Sequence, residues 1–592
     1  MGKEDGNDVI RLRLVLAVIG GIAGLSFWLL FDVLEDIIVN AQLYVFVSAA
    51  TFAFFASLLA LVGPLELRRA APSAAVIALP SAALLSWASL RFSDLDGFFG
   101  TGHPILAFVI LVSIPLPYLI AAQRSGEGWR HYPALFDQSW NIVVRYSAAW
   151  LFVALVWGVV YLSDALLQIV GLEIIENLLD VDGVPFVLTG FVLGLAIAVV
   201  NELSDYVSPF LILRLLRLLL PVFVVVVAIF ILALPLRGLS GLFGGLSTAA
   251  TLMAIAIGAA TLVTTALEKR DEDAVDSAAM RGAVSVLSLM TPVLAVLAAY
   301  AIWIRVVQYG WTPNRILAAL IVVFVLSYAF AYAMSVILRR NWMGRIRRTN
   351  TYLALGVAGI AALWLTPVLD PQRLSTANQI ARFEAGTTDV EVLDLWEIGR
   401  EWGLAGAAGV TRLAAMEDHP QAARLAERLE RLSQAQSRYV YDREAAGFQA
   451  DSLRVELRER IVVRPEGPPL PVEVLARLGL RRLMAVRNGC DQPTPGGNPG
   501  CVAVVSDLLP LSPGAEFLIF YIGEGGGAEV LALTRAGSRS ALPQRDIVDL
   551  ARGGFPDLEP RALDRIIDGD FSTEPAQLKV LRVEDIEIFI KP

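Results

Sequence analysis

Five residues close together in the chain could do chemistry at a membrane. They are Asn201, Glu202 and Asp205, then Arg214 and Arg217, in the stretch NELSDYVSPFLILRLLRLLLPVF (201–223). Arg214 and Arg217 are three apart and share a helix face, so one carboxylate could pair with both. Such a carboxylate–guanidinium cluster would suit a proton- or ion-coupled carrier, because charge at membrane depth is expensive and is kept facing an interior or a cavity. The other reading is a link at the membrane surface, with solvated acids and arginines that snorkel to headgroups. Both readings require long apolar elements on either side.

Other reactive constellations are sparse. The three histidines, His103, His131 and His419, fall in separate parts of the chain. That pattern argues against a Ser–His hydrolase or a histidine-rich metal centre. No HExxH, no GxxxxGK[ST] and no nucleotide fingerprint after a strand occurs. The expectation is a non-enzymatic protein without metal or cofactor. An enzyme acting on a lipid-linked substrate is a third reading, with Asp137, Asp164 or Glu173 as its acid or base. The two cysteines, Cys490 and Cys501, flank the turn-rich loop DQPTPGGNPG and suggest a disulfide, worth roughly 3 kcal/mol on the chain-entropy model. Two free thiols are the alternative. A metal is disfavoured, with no further Cys and no His nearby.

The elements that must position these groups are plain. The chain has 592 residues, of which 56% are hydrophobic and 18% charged, where a soluble domain is nearer half and a quarter. Eleven apolar runs lie near Leu12–Phe31, Leu43–Pro64, Ser73–Leu90, Pro104–Ala122, Ile142–Val170, Val184–Val200, Pro209–Leu234, Leu242–Leu267, Ala283–Ile304, Ile316–Leu338 and Tyr352–Leu369. Each is about 20 residues, enough to cross roughly 30 Å of hydrocarbon. Pro80, Pro115, Pro117, Pro221 and Pro292 fall inside runs and predict kinks. Gly20 with Gly24, and Gly190 with Gly194, have the four-residue spacing that lets helix backbones approach within a bundle. In YGWTPNRI (309–316), Thr312 is placed to cap a helix and Pro313 to open its first turn. The aromatic stretch Arg124–Arg145 suits a segment in the interface, and LRGLSGLFGG (236–245) reads as a tight turn.

Basic residues set the threading. Lys3, Arg11, Arg13, Arg68, Arg69, Arg124, Arg130, Arg214, Arg217, Lys269, Arg270, Arg281 and the arginines of 339–348 fall on one side; only Arg91, Arg237, Arg305 and Arg315 fall on the other. By the positive-inside bias the first side is cytoplasmic. With an odd number of helices the C-terminal region is then periplasmic, which agrees with a disulfide there.

After Asp370-Pro371 the composition becomes that of a soluble domain. Residues 372–448 read as helices, including 390–414 and PQAARLAERLERL. Strands are expected at Leu453–Val463, Cys501–Val505, Glu516–Ile522, Glu529–Leu533 and Leu578–Ile590, with helices at Pro471–Val486 and Arg561–Ile567 and a hairpin loop at GEGGG (523–527).

The segments HYPALFDQSW (131–140), NELSDYVSPFLILRLLRLLLPVF (201–223), YGWTPNRI, LDPQRLSTANQIARF (369–383) and LDLWEIGREWGLAGAAGVTRL (393–413) together resemble the bacterial membrane proteins of domain of unknown function family 4153. The resemblance spans roughly residues 10 to 415. It implies an inner-membrane protein and carries over no activity, substrate or catalytic residue.

The sequence therefore describes a polytopic all-α transmembrane bundle of about 11 helices (1–370), a helical periplasmic segment (371–450) and an α+β periplasmic domain (451–592). The function it favours is an envelope scaffold or sensor that binds a periplasmic protein partner. The alternative is a solute carrier or channel using the 201–217 cluster. The bilayer is the other partner, and with a net charge of −9 and no basic patch, nucleic acid is not one. Single cysteines at 137, 205, 310 and 450, in a background lacking Cys490 and Cys501, test the threading. A membrane-impermeant reagent on intact cells should label 310 and 450 only; labelling at 205 would reveal a water path to that block.

Overall fold

The computed structural model describes residues 3–592 except 125, 127, 203–208, 238–247, 276, 509–514, 534–546, 548, 550–555, 576–580, 584–585 and 589–592. Asp205 and most of the 236–245 link therefore lie outside the described residues. The chain forms two compact units, Met1–Ala426 and Glu427–Pro592.

Among the described residues of the first unit, ten helices are long and apolar enough to cross a membrane: α1 (Ile10–Ile37), α2 (Ala41–Leu61), α3 (Leu67–Ser89), α4 (His103–Arg124), α5 (Tyr132–Ile169), α6 (Val184–Glu202), α7 (Leu213–Leu234), α8 (Thr248–Leu267), α9 (Ala278–Tyr309) and α10 (Pro313–Ile337). An eleventh, α11 (Trp342–Trp364), meets Pro367–Glu384 at 82°, the geometry of a broken span or of a re-entrant loop. Beyond the bend lie α12 (Pro371–Glu384) and α13 (Gly403–Ala414). Thr312 accepts a hydrogen bond from the Arg315 amide and Pro313 opens α10, as their positions imply. Residues 390–394 are a turn rather than helix, because Asp394 Oδ1 accepts from the Glu397 amide at 3.0 Å and starts the helix there.

The helices build two separate cores. One draws on α1–α4, α6 and the end of α11, with Leu16, Ala53, Ala74, Ile120 and Ile197 fully buried. The other draws on α7–α10, around Leu220, Val263, Leu294 and Tyr332, with Ile346 of α11. In the first core α1 and α6 run antiparallel in backbone contact. A Cβ on Gly20 would lie 2.0 Å from the Gly190 carbonyl oxygen, one on Gly24 2.1 Å from that of Phe186, and one on Gly194 2.0 Å from that of Leu16. Both pairs of spaced glycines thus serve one interface inside the bundle.

Arginines close the C-terminal ends of the helices, where the last carbonyls have no intrahelical partner. Arg145 donates to Leu59 O and Ala60 O at the end of α2 (3.1 and 2.7 Å). Arg347 donates to Leu267 O and Glu268 O at the end of α8 (2.6 and 3.0 Å). Arg382 donates to Val307 O and Gln308 O, and Arg315 to Gly310 O, at the end of α9. Arg91 donates to Trp364 O and Thr366 O at the end of α11 (2.9 and 2.7 Å).

The second unit contains α15 (Arg438–Arg460), which follows α14 (Ala422–Gln434) at the junction, then α16 (Leu480–Cys490) and α17 (Arg561–Ile567). Its four-stranded sheet has the order β1 (Val462–Arg464), β2 (Cys501–Ser506), β3 (Glu516–Ile522), β4 (Ala528–Leu533). β1 pairs parallel with β2 and the other pairs are antiparallel. One face packs on Leu453, Leu457, Leu483 and Val486 of α15 and α16, the other on Leu563 of α17. Burial on both faces explains why β2 is a continuous apolar run. A short hairpin, β5 (Leu581–Val583) with β6 (Ile586–Ile588), is what is described of the last expected strand.

Two expectations are corrected. The stretch expected as a strand from Leu453 is helical through Arg460: Leu453, Leu457 and Ile461 are buried on one helix face while Val455 is 59% exposed. Apolar residues at 453, 455 and 457 satisfy a period of two, but burial follows the period of four. The helix expected at Pro471–Val486 is broken before Gly479, into Val472–Leu475 and α16. Cys490 and Cys501 form a disulfide that joins α16 to β2. The loop it closes is tied to α17 by Asp564, which accepts from Thr494, Asn498 and the Gly496 amide; the first two of these bonds chiefly hold its carboxyl below the usual range.

The glycine contact gives a clear expectation. Gly20→Ala or Gly190→Ala must push α1 and α6 apart and should cost about 1–3 kcal/mol in a thermal unfolding assay. Gly21→Ala, where a Cβ meets only Phe191 at 3.9 Å, should leave the midpoint unchanged.

Candidate functional site

Among the described residues, Asn201, Glu202 and Arg217 are not brought into one centre. Glu202 pairs with Arg13 of α1, whose Nε lies 2.9 Å from Oε2. Asn201 Oδ1 accepts from Arg145 at 3.4 Å. These two residues therefore belong to the first core. Arg217 points into the second: its Nε donates to Thr265 O at 3.1 Å and its Nη2 lies 2.6 Å from Glu268 Oε2. Arg214 is exposed, and Asp205 lies outside the described residues. Asp137 pairs with Lys269 Nζ at 3.1 Å, and Asp164 accepts from Gln168 at 3.0 Å. Arg13 with Glu202 and Arg217 with Glu268 are thus separate clamps at one end of the bundle.

The same end holds a cavity of about 640 Å³ at the seam between the two cores. Its walls come from α4, α5, α8, α9, α10 and α11. None of the described residues lining it is charged; they include Pro117, Phe136, Trp140, Ala260, Phe324, Ala354 and Val357. Helix α4 breaks at Ile114 beside this space, because Pro115 and Pro117 cannot donate to the Leu111 and Ser113 carbonyls. One wall is polar. Tyr332 donates to Asn350 Oδ1 and lies 3.0 Å from Thr264 Oγ1, while Asn350 Nδ2 approaches Tyr132 Oη at 3.2 Å and Thr264 Oγ1 at 3.3 Å. Tyr118 donates to Thr351 O at 2.6 Å. The arrangement is an apolar chamber with a small, mutually satisfied group of hydroxyls and one amide, the usual make-up of a site for a neutral molecule.

The opposite end holds a second, polar cavity of about 870 Å³ around the bend between α11 and α12. Three of the segments that carry the family resemblance meet there. Gln379 of α12 donates to Tyr309 O and Trp311 O at 2.9 and 3.0 Å, and Asn378 accepts from the Trp311 amide at 2.8 Å. Asp394, Glu397, Glu401 and Trp402 complete the wall. Arg91 fastens the bend, with its Nε 3.8 Å from Asp370; burial chiefly lowers its pKa, against the pull of Asp370. Neither cavity was identified from the sequence. Its one signal for the first was the i,i+4 pair Tyr328 and Tyr332 with Asn350 at the start of an apolar run. The second draws on residues as far apart as His103 and Gln372. Among the described residues no group of three or more His, Cys, Asp or Glu stands close enough to hold a metal ion.

Ten or eleven apolar helices around two cores define a multi-pass helical membrane protein. The chain belongs to the family described as domain of unknown function (DUF4153), whose model matches residues 14–399 and so takes in the spans and nearly all of both cavities. No curated protein and no solved structure matches the chain.

The two ion pairs differ in burial, and that difference is measurable. Arg217 and Glu268 keep 15% and 10% side-chain exposure, against 42% and 34% for Arg13 and Glu202. Arg217→Ala leaves a buried carboxylate alone and should cost about 3–5 kcal/mol of unfolding free energy. Arg13→Ala should cost about 1 kcal/mol or less. Equal losses in both would contradict the assignment.

Proposed function

We propose that this protein is a carrier that takes up an uncharged, largely apolar molecule at the seam between its two helical cores. The observation that carries the reading is the cavity of about 640 Å³ placed between separately packed sets of helices. Each core can keep its own packing while the seam opens or closes, which is what alternating exposure of a central site requires. The lack of charge in the lining favours a neutral ligand, because an ion there would lose its hydration without a counter-charge. The 201–217 residues then act as clamps at the bundle end rather than as a coupling site. The arginine bias supports a bacterial inner-membrane location with the N-terminus cytoplasmic, and the disulfide supports a periplasmic second unit. We read the protein as non-enzymatic.

The second unit favours a companion reading as scaffold or sensor. It has its own core, a sheet covered on both faces and a disulfide. On that reading, removing the second unit should abolish capture of a periplasmic protein that the full chain retains.

The carrier reading is tested by photolabelling in nanodiscs with a diazirine-bearing fatty alcohol. Labelled peptides should map to α5, α8 and α10. Ala354→Trp, which fills the cavity, should cut labelling at least fivefold, whereas Val159→Trp on the exposed face of α5 should not. Unchanged labelling in Ala354→Trp and in Ala260→Trp would contradict the reading.

A further inference from the structure

The α10 wall of the seam cavity is made by Ile321, Phe324, Val325, Tyr328 and Tyr332, which recur every three to four residues and so share one helix face. Val323 and Phe330 lie off that face and are exposed. Tyr328 therefore presents its side chain to the chamber, with its ring edge-on to that of Tyr332 and the centroids 6.0 Å apart. The other tyrosine and threonine hydroxyls of the lining are engaged. Thr261, Thr264, Thr291 and Thr351 each donate to the carbonyl four residues back in their own helix. Tyr118 donates to Thr351 O, Tyr332 donates to Asn350 Oδ1, and Tyr132 accepts from Asn350. Tyr328 differs. Among the described residues its hydroxyl has no hydrogen-bond partner, and its oxygen is not sealed inside the protein but keeps accessible surface.

At membrane depth a hydroxyl left without a partner is costly, so a molecule that brings an acceptor into the chamber is favoured over one that does not. The type of acceptor follows from counting hydrogens. A ligand hydroxyl brings a hydrogen of its own, so two hydroxyls in one contact leave one hydrogen over; a carbonyl accepts and brings none. A carboxylate would also accept, but among the described lining residues no cation stands to balance it. We propose that the seam cavity takes a neutral, lipid-soluble carbonyl compound, with the Tyr328 O–H donating to the carbonyl oxygen. The proposal rests on the reading of the seam as a ligand site and names the chemical class of that ligand and the residue that selects it.

A quinone and a neutral acyl ester both carry the required carbonyl, and the test separates them. The full chain in nanodiscs is photolabelled with the diazirine-bearing fatty alcohol while tetradecane, tetradecanol, methyl dodecyl ketone, decylbenzoquinone or methyl laurate competes. A carbonyl compound should displace the label at least fivefold better than the alkane and the alcohol, and the better of quinone and ester names the source. Tyr328→Phe, which removes one oxygen, should abolish that preference, and Tyr300→Phe, at an exposed tyrosine of α9, should keep it. Isotope-edited infrared spectroscopy gives a readout that does not need the Tyr328 variant to fold. The carbonyl stretch of the ketone should fall in frequency with the wild-type chain and stay at its bilayer value with Ala354→Trp. Equal competition by alkane and alcohol, a preference retained in Tyr328→Phe, or a carbonyl stretch that the wild-type chain does not move would overturn the proposal. Absence of any seam labelling in the wild type would overturn the carrier reading as well, whereas labelling without a carbonyl preference overturns this proposal alone.

Discussion

A guanidinium laid across the carbonyls at a helix C-terminus is the interaction on which the membrane unit depends. Every long helix ends with carbonyls that have no intrahelical donor, and where such an end is buried another group must supply one. Arg145, Arg347, Arg382 and Arg91 each bind two carbonyls at or just past the end of a different helix. The charge complements the negative end of the helix dipole, and the planar fork reaches two oxygens at once, which an ammonium cannot. Each contact is also a long-range tether. Arg91 fixes the bend after α11, and that bend shapes the polar cavity.

The same economy explains why the described charged residues of 201–217 go to separate partners. Glu202 and Asn201 are drawn to Arg13 and Arg145, and Arg217 to Glu268 and the end of α8. Charges are used up at the rim of each core, which leaves the seam between the cores free of charge and lined by side chains that a neutral molecule can displace or join. The glycine contact brings α1 and α6 backbone to backbone within the first core. Two separately packed cores with an uncharged seam are the physical basis of the carrier reading.

Much of the fold was legible because its signals are local. Apolar runs give the spans, the Thr312-Pro313 pair gives the start of α10, and the two pairs of glycines at four-residue spacing give a close helix contact. The failures are also local in origin. Leu453, Leu457 and Ile461 fit two periods at once, and only burial decides between them. The cavities were not legible, because their polar groups come from distant places. Tyr118 meets Thr351 across 233 positions, and His103 meets Gln372 across 269. Spacing along the chain has no access to such pairs, and it groups neighbours such as Glu202 and Arg217, which the fold sends to different partners.

The most direct measurement is the unfolding midpoint, in nanodiscs, of Arg145→Lys and Arg347→Lys beside the exposed control Arg11→Lys. Lysine keeps the charge but cannot span two carbonyls. The account predicts a loss of more than about 1.5 kcal/mol in each of the first two and none in the control. Midpoints that stay with the unsubstituted chain would mean that charge alone holds these helix ends, and the account of the bundle would fail.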